Sequence, residues 1–395
     1  MKSYVIASSD AIFIDEEDRP ELLSILKQVG REKSLIDGIL TLPQGYIGNI
    51  ITSNLNITLK PSVRYLRAID YLRLVDDYTD VNDDDNSAKW LGLIAANDIS
   101  NYLVEKFYFY LKTLASKGVP KRYLTQKQFS QHFAGNIDFE QTLFRNTVQY
   151  SPIVATKRSV LNSDYIAMQV IKAAFIKVSR AGLIDHDSNI QRVVMNVKSS
   201  RSILNAIPNI ELHFGRHEDL LKVTFDIAKM IIENLNISTN NDDLGSSLLV
   251  NSNTIFENYI AHLLKFVDPV HFHYKTHQKV IANKSGNSDI SIEPDLIYSG
   301  LNKAVLDVKN KDFEEHFNNA DLYQLLTYCN NFDSKVGILI YPYNKDLPPV
   351  KVIYNKQTDL LLYAVGCNIT GRTRSERDLS VQTFFNNIKE LLHFC

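Results

Sequence analysis

Three charged residues interrupt two short apolar runs in the stretch IEPDLIYSGLNKAVLDVKNK, residues 292–311. Asp295 lies in the first run, and Asp307 and Lys309 lie in the second. Because side chains alternate across a strand, Asp307 and Lys309 share one face. If the two runs form a hairpin, Asp295 and Asp307 converge, and such carboxylates repel unless a cation or a proton lies between them. The pattern therefore predicts a site for a hard divalent cation, Mg²⁺ with Mn²⁺ as an alternative.

A lysine beside two metal-binding carboxylates indicates phosphodiester hydrolysis. Lys309 would orient the attacking water and stabilise the charge that develops on the scissile phosphate. The metal would lower the pKa of its bound water and neutralise the leaving oxygen. Glu293 lies two residues before Asp295 and shares its strand face, so either carboxylate is a candidate for the first metal ligand. The adjacency of Pro294 favours Asp295 by pattern alone.

Two predicted helices offer further candidate residues. Glu257, in the segment IFENYIAHLL, would supply another carboxylate to the metal, or else it is an ordinary solvated helix charge. Gln324 and Tyr328 are four residues apart in DLYQLLTY and therefore share a helix face. Their position just after the D-x-K triplet favours a role beside the site over a polar helix edge. His271 and His273 share a strand face, but an ordinary sheet surface explains them better than half a metal site.

The composition indicates a globular chain of the cytoplasm. The 395 residues carry a formal net charge of -2, so no overall basic field indicates a polyanion partner, although a local patch would suffice. The three cysteines have no paired spacing, which favours a reducing compartment over a disulfide framework. We expect neither a signal peptide nor a membrane-spanning segment, because no apolar run is long enough. The pattern GxxxxGK[ST] is absent, so we expect no nucleotide hydrolysis by this chain.

The sequence predicts a multidomain α+β or α/β chain with three regions. Residues 1–87 are β-rich, because GILTLPQGYIGNIITSNLNITLKP alternates apolar and polar residues. Residues 88–245 are mainly helical and end in the polar stretch STNNDDLGSS. Helices are predicted in that middle region at 88–117, 158–183 and 216–235. Residues 246–395 follow the order α-β-β-β-α-β with additions, which predicts a mixed sheet flanked by helices.

These motifs resemble those of known nucleases. The order P-D, an eleven-residue gap and D-x-K, on two predicted strands, is similar to the motif of the PD-(D/E)xK nucleases, which have a restriction-endonuclease-like fold. The Q-x-x-x-Y spacing resembles an element of their RecB-like branch. The chain as a whole resembles the McrC family, the nuclease subunit of McrBC-type restriction systems, and equally the LlaJI-type restriction subunits. The resembling segments, in chain order, are GYIGNIITSNLNITLKPSV, FAGNIDF, FEN, EPDLIY, LDVKNK and DLYQLLTY.

The resemblance implies a Mg²⁺-dependent endodeoxyribonuclease that cuts double-stranded DNA, modified or unmodified, in antiviral defence. It implies that Asp295, Asp307 and Lys309 are the catalytic positions, with Gln324 and Tyr328 as adjuncts. It also implies a separately encoded partner, an McrB-like AAA+ GTPase hexamer that this chain would stimulate and whose ring would receive an N-terminal region, for which we expect residues within 1–87.

Two other functions remain open at the level of the sequence. One is an adaptor that activates and caps the GTPase ring without cutting DNA. The other is a stand-alone RecB-like repair nuclease, which would cut DNA without any partner. The intact Asp295, Asp307 and Lys309 argue against the adaptor.

Overall fold

In the computed structural model the chain packs into two compact units, one formed by residues 1–99 and 236–395 and the other by residues 100–235. The structure describes every residue except 1, 8–9, 29, 77–98, 132–134, 149–152, 186, 199–211, 216, 239–244, 276–277, 283–288, 313–317, 344–349, 356–358, 371–373 and 393–395.

The first unit contains a five-stranded sheet built around the predicted N-terminal strands. Its strands are β1 (Lys2–Ala7), β5 (Tyr46–Ile51), β6 (Leu55–Lys60), β10 (Leu235–Ser238) and β11 (Gly245–Asn251), in the spatial order β1-β6-β5-β11-β10. The alternating sequence LNITLK buries every second residue of β6, as a strand with one covered face requires. Gly48 has a φ of 131°, and a Cβ there would run into the Leu248 carbonyl, so β5 and β11 approach closely only because this residue is glycine.

The N-terminal region also contains a helix that the strand pattern did not predict. Helix α1 (Arg19–Gln28) buries Leu22, Ile25 and Leu26, which follow the i, i+3, i+4 spacing of an amphipathic helix. A small sheet lies next to it in the chain and consists of β2 (Ala11–Phe13), β3 (Leu35–Ile36) and β4 (Ile39–Thr41). These elements share one apolar core with β5 and β6.

The packing divides the chain differently from the three predicted regions 1–87, 88–245 and 246–395. Strand β11 pairs antiparallel with β5, so a strand that follows the middle region completes the N-terminal sheet. Composition changes along a chain mark local boundaries, and they cannot reveal a strand that pairs across the whole middle region. Residues 239–244 of the predicted boundary lie outside the described residues.

The remainder of the first unit has the predicted mixed sheet flanked by helices. Its strands are β12 (Phe272–Tyr274), β15 (Leu296–Tyr298), β16 (Ala304–Val308), β17 (Val336–Pro342), β18 (Val350–Asn355) and β19 (Leu360–Cys367), in the order β12-β15-β16-β17-β19-β18. Strands β16, β17 and β19 are parallel to one another, and the outer pairs are antiparallel. Strand β13 (Gln278–Ala282) does not join this sheet and forms a separate ribbon with β14 (Asp289–Ile292).

Four helices of the first unit pack near this sheet or lead into it. They are α2 (Ala68–Asp76), α8 (Ser252–Val267), α9 (Asn319–Asn331) and α10 (Arg374–Leu392). Helix α8 begins at Asn251, whose side chain accepts hydrogen bonds from the backbone N–H groups of Asn253 and Thr254. Helix α9 covers one face of β16 and β17, where Leu325 and Cys329 pack on Val305 and Leu339 in a buried core.

Beside its helices, the second unit contains a small sheet that the sequence pattern did not predict. Its elements are α3 (Ile99–Lys117), β7 (Arg122–Ser130), β8 (Asn136–Ile137), α4 (Phe139–Val148), β9 (Val154–Asn162), α5 (Ile166–Arg180), α6 (Ser188–Met195) and α7 (Asp219–Asn234). The predicted helix 158–183 is wrong over its first residues, because β9 pairs with β7 over nine residues and the helix begins only at Ile166. Most side chains of β7 are exposed and polar, so the pattern carried no strand signal. The helix predicted at 216–235 is confirmed as α7, whereas residues 88–98 of another lie outside the described residues.

No helix in the described ranges is both long and apolar enough to cross a membrane. Cys329 and Cys367 are buried free thiols, and Cys395 lies outside the described residues.

Candidate active site

The predicted hairpin forms and brings the two carboxylates together. Strands β15 and β16 are antiparallel, with Leu296 opposite Leu306. Continuing this register by one residue places Asp295 opposite Asp307, and residues that lie directly opposite in an antiparallel pair point to the same face. The Val308 N–H donates a 2.7 Å hydrogen bond to Oδ2 of Asp295, which fixes this carboxylate against the end of β16.

Lys309 lies between the Asp307 carboxylate and helix α9. Its ammonium is 2.6 Å from Oδ2 of Asp307 and donates a 2.8 Å hydrogen bond to Oε1 of Gln324. The Gln324 amide nitrogen in turn donates a 2.7 Å bond to the Tyr328 hydroxyl. The predicted adjuncts Gln324 and Tyr328 thus form a chain of hydrogen bonds that holds the lysine.

The fold explains why these side chains meet. Asp307 and Lys309 have the same strand parity as Val305, which packs against α9. Helix α9 starts at Asn318, whose side chain accepts from the Ala320 N–H at 2.9 Å, and its positions 324 and 328 are one turn apart. A strand face and a helix face therefore converge just beyond the end of β16.

Burial and like charge strongly favour proton or cation binding by the two carboxylates. Burial, the Asp307 carboxylate and Glu257 together raise the pKa of Asp295 to about 8. Asp307 is only 2 % exposed, and burial raises its pKa as well, although the Lys309 ammonium opposes the rise. For Lys309, burial opposes the charged form, but Asp307 and the other nearby carboxylates raise its pKa above the usual value. Lys309 is therefore a fixed cation rather than a base.

Glu257 lies near the pair but has other partners. Its Oε1 accepts a 2.8 Å hydrogen bond from the Tyr274 hydroxyl and lies 3.1 Å from the Lys275 ammonium. Within the described ranges, no group of three or more His, Cys, Asp or Glu side chains is arranged to hold a metal ion. The assignment of Glu257 as a further ligand stays a prediction, since its carboxylate would have to be shared between Lys275 and the ion.

The geometry favours Asp295 over Glu293 as the partner of Asp307. The Asp295 side chain accepts a hydrogen bond from the backbone of β16, and the hairpin register places Asp295 opposite Asp307. Glu293 is partly buried, and its charge contributes to the raised pKa of the Tyr274 hydroxyl. Burial and Glu257 are the larger causes of that rise. His271 lies in the turn before β12 and bonds to Asp268, and His273 on β12 bonds to Ser299.

Sequence reasoning missed a second charged pair beside the site. Asp321 is buried on α9, forms an ion pair with Lys311 and accepts a 3.1 Å hydrogen bond from the Tyr341 hydroxyl. Its charge contributes to the raised pKa of both Asp307 and Lys309. The spacing contained the signal, because Lys311 is two residues after Lys309 and Asp321 is about one turn before Gln324.

The residues present fit a divalent cation. Oδ2 of Asp307 is buried and, among the described residues, has the Lys309 ammonium as ion-pair partner but no hydrogen bond of ordinary geometry. Together with Asp295 it forms a paired oxygen site in which burial, above all, raises the pKa of both carboxyls. Mg²⁺ is often held by only one or two carboxylates, with water and phosphate oxygens as the other ligands.

Comparison with known proteins identifies the family. The McrBC family, described as a McrBC 5-methylcytosine restriction system component, matches residues 42–342. The chain belongs to this family. The resemblance to McrBC-type restriction systems is thereby confirmed, and the match includes the whole of the Asp295–Tyr328 site of this McrBC family member. No curated protein matches the chain.

Solved structures from Thermococcus gammatolerans are similar to this McrBC family member. One is a chain from a refined half-complex of a tetradecameric assembly of McrB AAA+ hexamers with bound McrC. It is 14 % identical with a TM-score of 0.51, and the alignment covers 98 % of this chain and 100 % of that chain. At this identity the likeness shows a shared fold. A chain from the cryo-EM structure of the McrBC complex is 13 % identical with a TM-score of 0.36, covering 67 % of this chain and 87 % of that chain.

Proposed function

We propose that this McrBC family member is the DNA-cleaving subunit of a restriction system. It hydrolyses phosphodiester bonds of double-stranded DNA with Mg²⁺ or Mn²⁺ as cofactor, in complex with an McrB-like AAA+ GTPase hexamer whose GTPase it stimulates. We expect it to do so in the cytoplasm. The observation that carries the proposal is the carboxylate pair of half-buried Asp295 and buried Asp307, with the fixed cation Lys309 beside it.

Each side chain has a role that follows from its contacts. Asp295 and Asp307 would hold the divalent ion through carboxylate oxygens, and the bound ion supplies a water of lowered pKa and charge neutralisation at the phosphate. Lys309 donates hydrogen bonds, orienting the attacking water and stabilising the charge that develops on a phosphate oxygen. Gln324 and Tyr328 keep the Lys309 ammonium at one position through their hydrogen bonds.

A protein partner is supported by an apolar surface on the second unit. Helix α4 has no buried residue and exposes Phe139, Leu143, Phe144 and Val148. Large exposed apolar patches are typical of protein interfaces. The neighbour of similar fold comes from an assembly of McrB AAA+ hexamers with bound McrC, which supports a ring as the partner. We propose that α4 contributes to this contact together with the region within 1–87.

Reconstitution with the partner ring tests the proposal. The chain, its McrB-like ring, GTP and Mg²⁺ are incubated with plasmid DNA that carries or lacks 5-methylcytosine. We expect double-strand cleavage by the complete mixture and negligible cleavage when either the ring or Mg²⁺ is omitted. GTP turnover by the ring is measured in parallel, because stimulation reports assembly independently of cleavage.

Two results would replace the proposal with another function. Equal cleavage by the isolated chain would indicate a stand-alone nuclease. Stimulated GTP turnover without cleavage of either plasmid, in Mg²⁺ and in Mn²⁺, would indicate an adaptor that activates the ring.

A further inference from the structure

Asn310, the residue after Lys309, is tied to two helices by its side chain. Its Oδ1 accepts a 2.6 Å hydrogen bond from the Tyr71 hydroxyl on α2. Its amide nitrogen donates to Oγ of Ser252 at 2.8 Å and to Oδ1 of Asn253 at 3.0 Å, both in the first turn of α8. A carboxamide provides the acceptor and the two donors that these three contacts need.

The partners of Asn310 are themselves fixed to the N-terminal sheet. Oγ of Ser252 donates a 2.7 Å bond to the Gly45 carbonyl, and the Asn253 amide nitrogen donates to the Gln44 carbonyl at 3.3 Å. Gly45 has a φ of 94°, and a Cβ there would collide with the Asn253 amide. The network therefore connects the D-x-K strand to the turn that precedes β5.

Helix α2 fixes this network through the buried side chain of Tyr71. Tyr71 is fully buried, and its hydroxyl lies inside the unit, where an unmade hydrogen bond is costly. Seven residues earlier, the Arg64 N–H donates to Oδ1 of Asp312 at 3.0 Å, and its guanidinium lies 3.2 Å from Oδ2. The Arg64 side chain is 88 % exposed, so that ion pair contributes little, and the buried Tyr71–Asn310 bond is the stronger of the two contacts.

The Asn310 contacts lie just beyond the end of β16, where the chain leaves the sheet. Strand β16 ends at Val308, and the Lys309 N–H still donates to the Ile340 carbonyl at 2.8 Å. Just beyond this point, the Asn310 side chain holds the backbone. The Lys309 ammonium must meet both Asp307 and Gln324, at 2.6 and 2.8 Å, so a small shift of this backbone would break one contact.

We infer that Tyr71 and Asn310 are positioning residues for the nuclease site. Through them, the N-terminal helix α2 keeps the Lys309 ammonium in contact with Asp307 and Gln324. This rests on the proposed function. Neither residue touches the carboxylate pair in the described contacts, and both act through the backbone next to Lys309. A displacement of about 1 Å at a catalytic group costs up to about a hundredfold in rate. Loss of one positioning bond is expected to cost about tenfold.

The test uses Tyr71→Phe, which removes one hydroxyl and keeps the ring. In the complex with the ring, we expect single-turnover DNA cleavage to fall about tenfold while GTP turnover is unchanged. In the isolated chain, amide hydrogen exchange of the peptide covering 304–312 should become faster. Asn310→Ala should lower cleavage at least as much, and the double variant should be no worse than Asn310→Ala, because both changes remove the same contact.

Tyr165→Phe is the matched control. Tyr165 is also a buried tyrosine, and its hydroxyl donates a 2.9 Å bond to the Pro120 carbonyl in the second unit. It should change neither cleavage nor exchange at 304–312. The inference requires both effects of Tyr71→Phe, so a wild-type cleavage rate or unaltered exchange overturns it. If the wild-type complex cuts no DNA, the proposed function fails, whereas the exchange measurement still decides whether Tyr71 holds the strand end.

Discussion

Replacing Asp307 with Asn is expected to lower the single-turnover rate of DNA cleavage by the assembled complex at least about a hundredfold. The substitution keeps the size of the side chain but removes the charge that pairs with Lys309 at 2.6 Å and that, in the proposed function, binds the divalent ion. GTP turnover by the ring should be unchanged, because this buried side chain lies inside the first unit and not on its surface. The measurement is a quenched time course with complex in excess over DNA.

The control for this variant is Asp18→Asn. Asp18 is 5 % exposed and accepts a 2.9 Å hydrogen bond from the Asn54 amide, in the N-terminal part of the same unit. It therefore tests the loss of a buried carboxylate outside the D-x-K motif, and cleavage should stay near the wild-type rate. Cleavage by Asp307→Asn within a few-fold of wild type would contradict the assignment of this residue.

Replacing Asp295 with Asn is expected to abolish cleavage and, at the same time, to stabilise the metal-free chain. The folded chain raises the pKa of Asp295 from 3.8 to about 8, because of burial first and then Asp307 and Glu257. An asparagine can still accept the Val308 N–H and can donate to the Asp307 carboxylate instead of repelling it. At pH 8 without divalent ions, we expect stabilisation on the order of 2 kcal/mol, measured as a higher unfolding midpoint.

The stabilisation by Asp295→Asn is expected to depend on pH. Because the folded pKa of Asp295 is above the unfolded value, its contribution to stability is fully present below about pH 4 and is lost as pH rises towards 8. The difference between variant and wild type should therefore grow from pH 4 to pH 8. Added Mg²⁺ should stabilise the wild type at pH 8 and not the variant. A variant less stable than wild type at pH 8 would contradict the electrostatic account of the pair.

Asp268→Asn provides a control of opposite sign. Burial opposes ionisation of Asp268, but the His271 ring and backbone N–H groups lower the pKa of its carboxyl below the usual value. Its contribution to stability is present above the unfolded pKa of 3.8 and is lost as pH falls through the lower, folded pKa. The Asn variant should therefore be less stable than wild type at pH 8, with or without Mg²⁺.

The grouping of the candidate catalytic residues was predictable because they are close in sequence. A hairpin joins Asp295 to Asp307, strand alternation adds Lys309, and one helical turn relates Gln324 to Tyr328. Each relation depends on a local period of two or four residues, which a sequence displays directly. The structure brings these five side chains into one connected group.

The unpredicted features depend on contacts between distant segments. The Tyr71–Asn310 bond and the pairing of β5 with β11 join residues that no local period relates. The ribbon of β7 and β9 was missed for a different reason, since its exposed strands lack the apolar alternation that marks a half-buried strand. Long-range pairing therefore determined the division into units, which composition could not indicate.

Anomalous diffraction from crystals soaked in Mn²⁺ tests most directly whether Asp295 and Asp307 hold the catalytic cation. We expect one Mn²⁺ peak within about 2.2 Å of a carboxylate oxygen of each residue, and no such peak in crystals of Asp307→Asn. Lys309 should remain within hydrogen-bonding distance of Gln324 in both. A wild-type crystal whose Mn²⁺ peaks all lie away from the pair would contradict the assignment of Asp295 and Asp307 as metal ligands.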